Sequence, residues 1–224
     1  KNQANQGNPA RGDGQKRKKT LGGNERKRRI LARLLSRTMM FTLVPTAMAE
    51  GSDPVAQIGE TTYATLKAAF EGAKDGDTIT LTNDIKVEDT LVVTKTLTLD
   101  LAGHTLSNEK NIWSDDNWSL ISVRGNGNLT ITGNGKLEAK KDDCYPVDVQ
   151  DEGAQLTIED GTFIGNIHAV YVETGAAYIK GGTYSVQQKY PDASKADEFV
   201  LNLYDANRRN GTAKLSVSGG IFVA

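Results

Sequence analysis

The amino-acid sequence predicts an all-β chain wound as a parallel β-solenoid, and three observations predict it. One phrase recurs: Leu129-Thr130-Ile131 is followed by Gly135 and Leu137, and Leu156-Thr157-Ile158 by Gly161 and Phe163. Tyr178-Ile179 is followed in the same way by Gly182 and Tyr184, and Leu215-Ser216-Val217 by Gly220 and Phe222, while Leu97 to Leu101 with Gly103 and Leu106 is a looser copy. Each of the four closer copies is preceded by an apolar pair, respectively Ile121/Val123, Val147/Val149, Val170/Val172 and Leu201/Leu203. The glycines of successive copies lie 32, 26, 21 and 38 residues apart, so the shortest interval is a bare turn of the coil and the longer ones carry inserted loops.

Self-similarity at this period marks a repeat architecture. Short strands with period-2 alternation and Gly or Asn at their ends favour a β-coil over a helical repeat. One turn cannot bury its apolar face alone. Stacking turns at about 4.8 Å joins the inward side chains into a column, with backbone hydrogen bonds running between turns. A β-sandwich of regular hairpins is the competing reading. The repeated order of strand, turn, strand, glycine corner, strand favours the coil.

The 224 residues carry a formal net charge of −1, an average over two unlike parts. Residues 1–49 hold twelve Lys/Arg against two acids. Of the chain's 27 basic and 28 acidic residues, 15 and 26 therefore fall in residues 50–224, a net of −11. Residues 1–15 are polar, rich in Gly, Asn and Gln, and are expected to be disordered. Residues 16–49 read as an export signal: a basic run, the apolar run Met39–Ala47, and small residues ending at Ala49, with Glu50 as the new N-terminus. A basic nucleic-acid arm is the alternative, but such an arm has no use for an apolar run ending in Ala-x-Ala. The apolar run is too short for a permanent transmembrane anchor. The acidic remainder argues against a nucleic-acid partner. A single cysteine, Cys144, excludes an internal disulfide.

Residues 61–75 carry the one strong helical pattern, with Thr61 or Thr62 as cap and Tyr63, Leu66, Ala69, Phe70 and Ala73 on one face. The segment Gly76–Leu81 is then expected to open the first strand. At the far end the sequence stops within Gly219–Ala224, in the middle of a turn and without a polar cap, so the coil is expected to be incomplete at its C-terminus.

The amphipathic helix, then Asp75-Gly76-Asp77-Thr78-Ile79, then Leu97–Leu101 with Gly103-His104, resembles the N-terminal end of pectate-lyase-like right-handed parallel β-helices. The resemblance covers roughly residues 56–224 and implies a right-handed coil whose open end the helix caps. The phrases around Gly181-Gly182, Phe199–Asn202 and Gly219-Gly220 are similar to uncharacterised secreted repeat proteins of Gram-positive gut bacteria. Fold is implied more strongly than activity, because the superfamily includes lyases, hydrolases, phage tailspikes and adhesins.

Three insertions fall at one phase of the repeat, after the third strand. Residues 107–119 bring Trp113, Asp115, Asp116 and Trp118; residues 139–146 bring Asp142, Asp143 and Tyr145; residues 187–198 bring Tyr190, Asp192 and Asp197. Loops at one phase of a coil stack along one edge. Aromatic faces stack on sugar rings, and carboxylates accept sugar hydroxyls or bind Ca²⁺. The bland alternative is that these are solvated loops whose aromatics pack back on the coil.

Glycoside hydrolysis needs two carboxylates held across the bond, and adjacent loop aspartates are a weak signal for that. Hydrolases of the resembled superfamily carry a Gly-His-Gly and an Arg-x-Lys motif beside paired aspartates. Here Gly103-His104 stands alone near the first turns, and Arg208 and Arg209 lie in an Asn/Gly-rich stretch. No catalytic residue is assigned. The expectation is a secreted or cell-surface scaffold, without catalysis or an obligatory cofactor, that binds a glycan or a host surface. A polysaccharide lyase or hydrolase completed by residues beyond this segment is the alternative, and a ligand-free structural stalk is a third.

Overall fold

The computed structural model describes residues 53–189 and 199–223. The expected disordered segment, the export signal with Ala49 and Glu50, and Tyr190, Asp192 and Asp197 lie outside them.

The chain visits three sheets in rotation. The first turn is β3 (Thr78–Leu81), β4 (Ile85–Val87) and β5 (Leu91–Val93), a copy that the repeat pattern did not reveal. The second is β6 (Thr96–Asp100), β7 (Thr105–Asn108) and β8 (Ser119–Val123), and the third β9 (Asn128–Thr132), β10 (Lys136–Glu138) and β11 (Tyr145–Val149). Then come β12 (Gln155–Ile158), β13 (Thr162–Gly165) and β14 (Val170–Val172), and β15 (Gly175–Ile179), β16 (Thr183–Val186) and β17 (Leu201–Leu203). The described chain ends in β18 (Ala213–Val217) and β19 (Ile221–Val223). From β3 on, each strand pairs in parallel with the strand three places on, in sheets of eight, six and five strands, an arrangement consistent with a β-solenoid.

Alternation decides which way each strand faces. In β6, Leu97 and Leu99 are buried while Thr96, Thr98 and Asp100 lie towards the surface. Register then stacks like on like. Ile79, Leu99, Ile131, Ile158 and Ile179 form one file. Leu91, Ile121, Val147, Val170 and Leu201 form another. A third runs Ile85, Leu106, Leu137, Phe163, Tyr184 and Phe222. Its aromatic part is stacked nearly flat, with ring centroids 5.2 Å apart for Phe163–Tyr184 and 5.1 Å for Tyr184–Phe222. In the last described turn Val217, Ile221, Phe222 and Val223 remain exposed.

The corner glycines Gly161, Gly182 and Gly220 stack one above another with φ of +114°, +89° and +108°, a region closed to most other residues. Gly135 departs from this. In its turn the positive φ belongs to Gly133, and Gly135 serves close packing instead, since a Cβ there would lie 2.3 Å from the His104 carbonyl oxygen.

The N-terminal reading needs correction. Helix α1 runs Leu66–Gly72, capped by Thr65, whose Oγ1 accepts from Ala68 N at 3.1 Å. Residues 61–63 are instead a strand, β2 (Thr61–Tyr63), paired antiparallel with β1 (Ala56–Ile58), which itself runs antiparallel to β3. Two β-branched threonines suit a strand better than a helix start, and β1 supplies them with backbone partners. The predicted apolar face holds: Leu66, Ala69 and Phe70 are buried, and the helix packs on β1, β2 and β5. Lys95 closes its end by donating through Nζ to the carbonyls of Phe70, Glu71 and Ala73. Arg208 and Arg209 lie in a helical turn, α2 (Asp205–Asn210), where both pair with Asp205.

Candidate functional site

All three predicted insertions connect the six-stranded sheet to the five-stranded sheet, so they leave the same corner of the coil, in its second, third and fifth turns. Asp143 organises the first two. Its carboxylate accepts from Asn108 Nδ2 at 2.7 Å, from Ile112 N at 2.9 Å and from Trp113 N at 3.1 Å. Asn108 Oδ1 accepts in return from Lys140 N at 2.8 Å. The next turn joins through Asn166 Nδ2, which donates to the Asp143 carbonyl at 3.2 Å, and the one after through Gln187 Nε2, which donates to the Ala139 carbonyl at 2.6 Å. Four successive turns are thus cross-linked along this edge. A buried carboxylate with three donors is stabilised where an unpaired one would be costly.

This lattice presents an aromatic cluster. Trp113 is 48% exposed and stacks on Trp118 with centroids 6.2 Å apart. Its edge meets Tyr145 at 5.4 Å. Tyr145 lies 4.9 Å from His168 and 5.6 Å from Tyr171, and His168 stacks on Tyr171 at 5.7 Å. Together with Phe199, Asn202 and Ile167 these rings line a groove of about 380 Å³. A second, polar groove of about 330 Å³ is lined by Asn111, Asp142, Asp143 and Asn166, and shares Trp113 and Ile167 with the first.

His168 is 4% exposed. Its Nδ1 lies 2.9 Å from the Phe199 carbonyl, which can only accept, so Nδ1 carries the proton and Nε2 accepts from Asn202 Nδ2 at 2.9 Å. Close packing brings this histidine in: a Cβ on Gly165 would lie 1.7 Å from the His168 carbonyl oxygen. Burial, followed by the charge of Glu173, pushes the Tyr171 phenol up to about 12, so it stays a hydrogen-bond donor. One strand below Tyr171 in the same register lies Asp148, fully buried. Its Oδ2 accepts from Gln150 Nε2 at 2.8 Å. Burial pushes the carboxyl up to about 6, against the Ser122 and Ser119 hydroxyls, which lie close enough to favour its charge, yet among the described residues no well-formed hydrogen bond reaches Oδ1.

The predicted residues divide. Trp113, Trp118 and Tyr145 come together, though Tyr145 is only 5% exposed and packs back onto the coil. Asp142 lies on the polar groove, exposed and with a positive φ of 61°. Asp143 also borders that groove, but as the buried organiser of the loops. Asp115 and Asp116 are exposed and line neither groove; Arg124 grips this stretch through the Asp116 carbonyl at 2.6 Å. His168, Tyr171, Phe199, Asn202 and Asn166 were not anticipated. His104 stands apart, with Nδ1 3.6 Å from Asp84.

Compared with known proteins, the chain matches no family model, no curated protein and no solved structure. Among the described residues no group of three or more His, Cys, Asp or Glu is placed to hold a metal ion. Nor, among them, is any helix long and apolar enough to cross a membrane.

Cys144 sits beneath the site with no exposed surface. Burial, and then the neighbouring Asp143 charge, raise its thiol well above the ordinary range, so it is a structural cysteine. The native chain is expected to resist a thiol reagent such as a disulfide-exchange dye at pH 8 and to react stoichiometrically once unfolded. Rapid labelling of the native chain would contradict this packing.

Proposed function

We propose that this chain is a non-catalytic scaffold that binds glycans through the aromatic and acidic edge of its coil. What carries the reading is Trp113: a large ring half exposed to water, backed by Trp118 and Tyr145, at the junction of an aromatic and a polar groove. Sugar recognition needs such a pair of surfaces, one apolar face to stack on and one set of polar atoms to orient hydroxyls. Rigid strands set the rings, and loops from successive turns carry them.

The broader assignment belongs to the same proposal. We read the coil as right-handed and pectate-lyase-like, with α1 covering its first turn. The position of α1 against β1, β2 and β5 supports this, because a bare coil end would leave apolar side chains and strand edges exposed. We place the protein outside the cell or on its surface, on the expected export signal in residues 16–49.

The test is a glycan-array screen of the full chain with product analysis on every hit. Binding without cleavage is expected. Trp113→Ala and Trp118→Ala should each weaken it at least tenfold, about 1.4 kcal/mol, while Asp115→Asn and Asp116→Asn should change it less than about twofold, their side chains lying off both grooves. Cleavage of a bound glycan would replace this reading with the lyase or hydrolase one. Silence across the array would favour a structural stalk.

A further inference from the structure

We propose that the polar groove beside Trp113 makes this edge selective for neutral sugars, recognised through their hydroxyl groups, over acidic ones. The inference rests on the glycan-binding reading and adds the chemical class of the ligand.

Among the described residues the groove is lined by Asn111, Trp113, Asp142, Asp143, Asn166 and Ile167, a set with two carboxylates and no cation. Lys140 stands outside the lining, its Nζ donating to Asn111 Oδ1 at 2.9 Å, so the lining side chains themselves carry only negative charge. Asp143 has both oxygens occupied by loop donors, so its hydrogen-bonding capacity is largely spent. Asp142 is different: exposed, on the wall of the groove, and held on a left-handed residue.

Asn166 supplies the second observation. It is 8% exposed and lines the groove. Its amide orientation is set by the Asp143 carbonyl, which can only accept, so Nδ2 donates there and Oδ1 is the remaining acceptor. Oδ1 has no hydrogen-bond partner among the described residues. A buried acceptor left unmet is costly to the fold, and a donor that reaches it is favoured accordingly.

Hydroxyl groups donate to such acceptors; a uronate or sialate carboxylate does not, and it meets the negative charge of Asp142 and Asp143 at short range. Like charges brought together in a partly desolvated site disfavour the wrong ligand by more than a single added hydrogen bond favours the right one. The sugar face stacks on Trp113 while its hydroxyls turn to Asp142, and a hydroxyl that enters far enough to displace the cover over Asn166 Oδ1 meets its open acceptor. No metal bridge is needed, since nothing anionic has to be held.

The test uses the full chain in EDTA against matched glycans that differ only in a neutral hexose versus the corresponding uronate, and in a terminal galactose versus its sialylated form. Neutral members are expected to bind at least tenfold more tightly. Asp142→Gly should weaken neutral binding severalfold and narrow the gap. Glycine accepts the positive φ at that position, so this variant keeps the loop. Asn166→Ser, checked for an unchanged melting profile, should weaken neutral binding as well. Preference for the acidic member, or binding that needs Ca²⁺, would overturn the selectivity and leave glycan binding standing. Neutral binding that falls in Trp113→Ala but is untouched by Asp142→Gly would overturn the role of the polar groove alone. No binding to any member would overturn both readings.

Discussion

Phe163→Ala is expected to destabilise the coil by about 3–5 kcal/mol, the range for removing a buried aromatic side chain. Phe163 has no exposed surface and stands in the middle of the file from Ile85 to Phe222, between Leu137 and Tyr184. Its ring is stacked on Tyr184 at an interplanar angle of 13°. Truncation removes the transfer free energy of the ring and opens a cavity that rigid neighbouring turns cannot close. It also strips one face from Tyr184, whose hydroxyl is held by the Gly181 carbonyl at 2.6 Å. In a coil each turn is stabilised mainly by its neighbours, so the damage spreads to the turns on both sides. For a domain of this size the melting temperature should fall by roughly 10 °C. Urea and thermal unfolding would measure it, and a loss below about 1 kcal/mol would show that the aromatic column is not packed as described.

Asp148→Asn is expected to stabilise the chain at neutral pH and not at pH 4. Burial raises the native carboxyl to about 6 from its ordinary 3.8, so the ionised form is the one the fold disfavours. Between those values the native state binds the proton and the unfolded state does not. Stability from this group is therefore full below about pH 4, falls as pH rises towards 6, and is level above it. The displacement corresponds to about 3 kcal/mol as an upper value. Asparagine keeps an acceptor for Gln150 and carries no charge. The difference between variant and wild type should grow from near zero at pH 4 to about 1–3 kcal/mol at pH 7, read from urea titrations at each pH. A difference that is flat with pH would mean that Asp148 is solvated and ionises freely. Because Asp148 shares a register row with Tyr171 and Asn202, a stabilising effect would also show that a buried charge is tolerated under the candidate groove at a cost.

Much of the coil was legible along the chain because a solenoid core is close to a one-dimensional object. The files of Leu, Ile and Val are the repeated phrase read turn by turn, and the corner glycines, Gly135 excepted, fall where a left-handed residue closes each turn. Of the first turn only the opening strand β3 was anticipated, because β4 and β5 lack a glycine corner of the same spelling. The helix start was misplaced because Thr61 and Thr62 can cap a helix or pair in a strand, and only β1, through its pairing, settles which. The candidate edge was legible in part. Phase alone placed Trp113, Trp118 and Tyr145 on one edge. It could not show that Asp143 is spent on holding the loops, or that Asp115 and Asp116 line neither groove.

What the sequence by itself determined is periodic: strands, corners, their order, and the side of the coil from which the insertions leave. Those properties follow from local alternation and backbone conformation, which each residue carries with it. What only the tertiary structure decided is the site. His168 meets Tyr145 and Asn202, Asn166 meets Asp143, and Asp148 lies under Tyr171 because stacking turns bring residues some 20 to 35 positions apart into contact. Hydrogen-bond satisfaction and burial act at that contact, and they divide one set of similar aspartates into a loop organiser, a groove wall and a solvated pair.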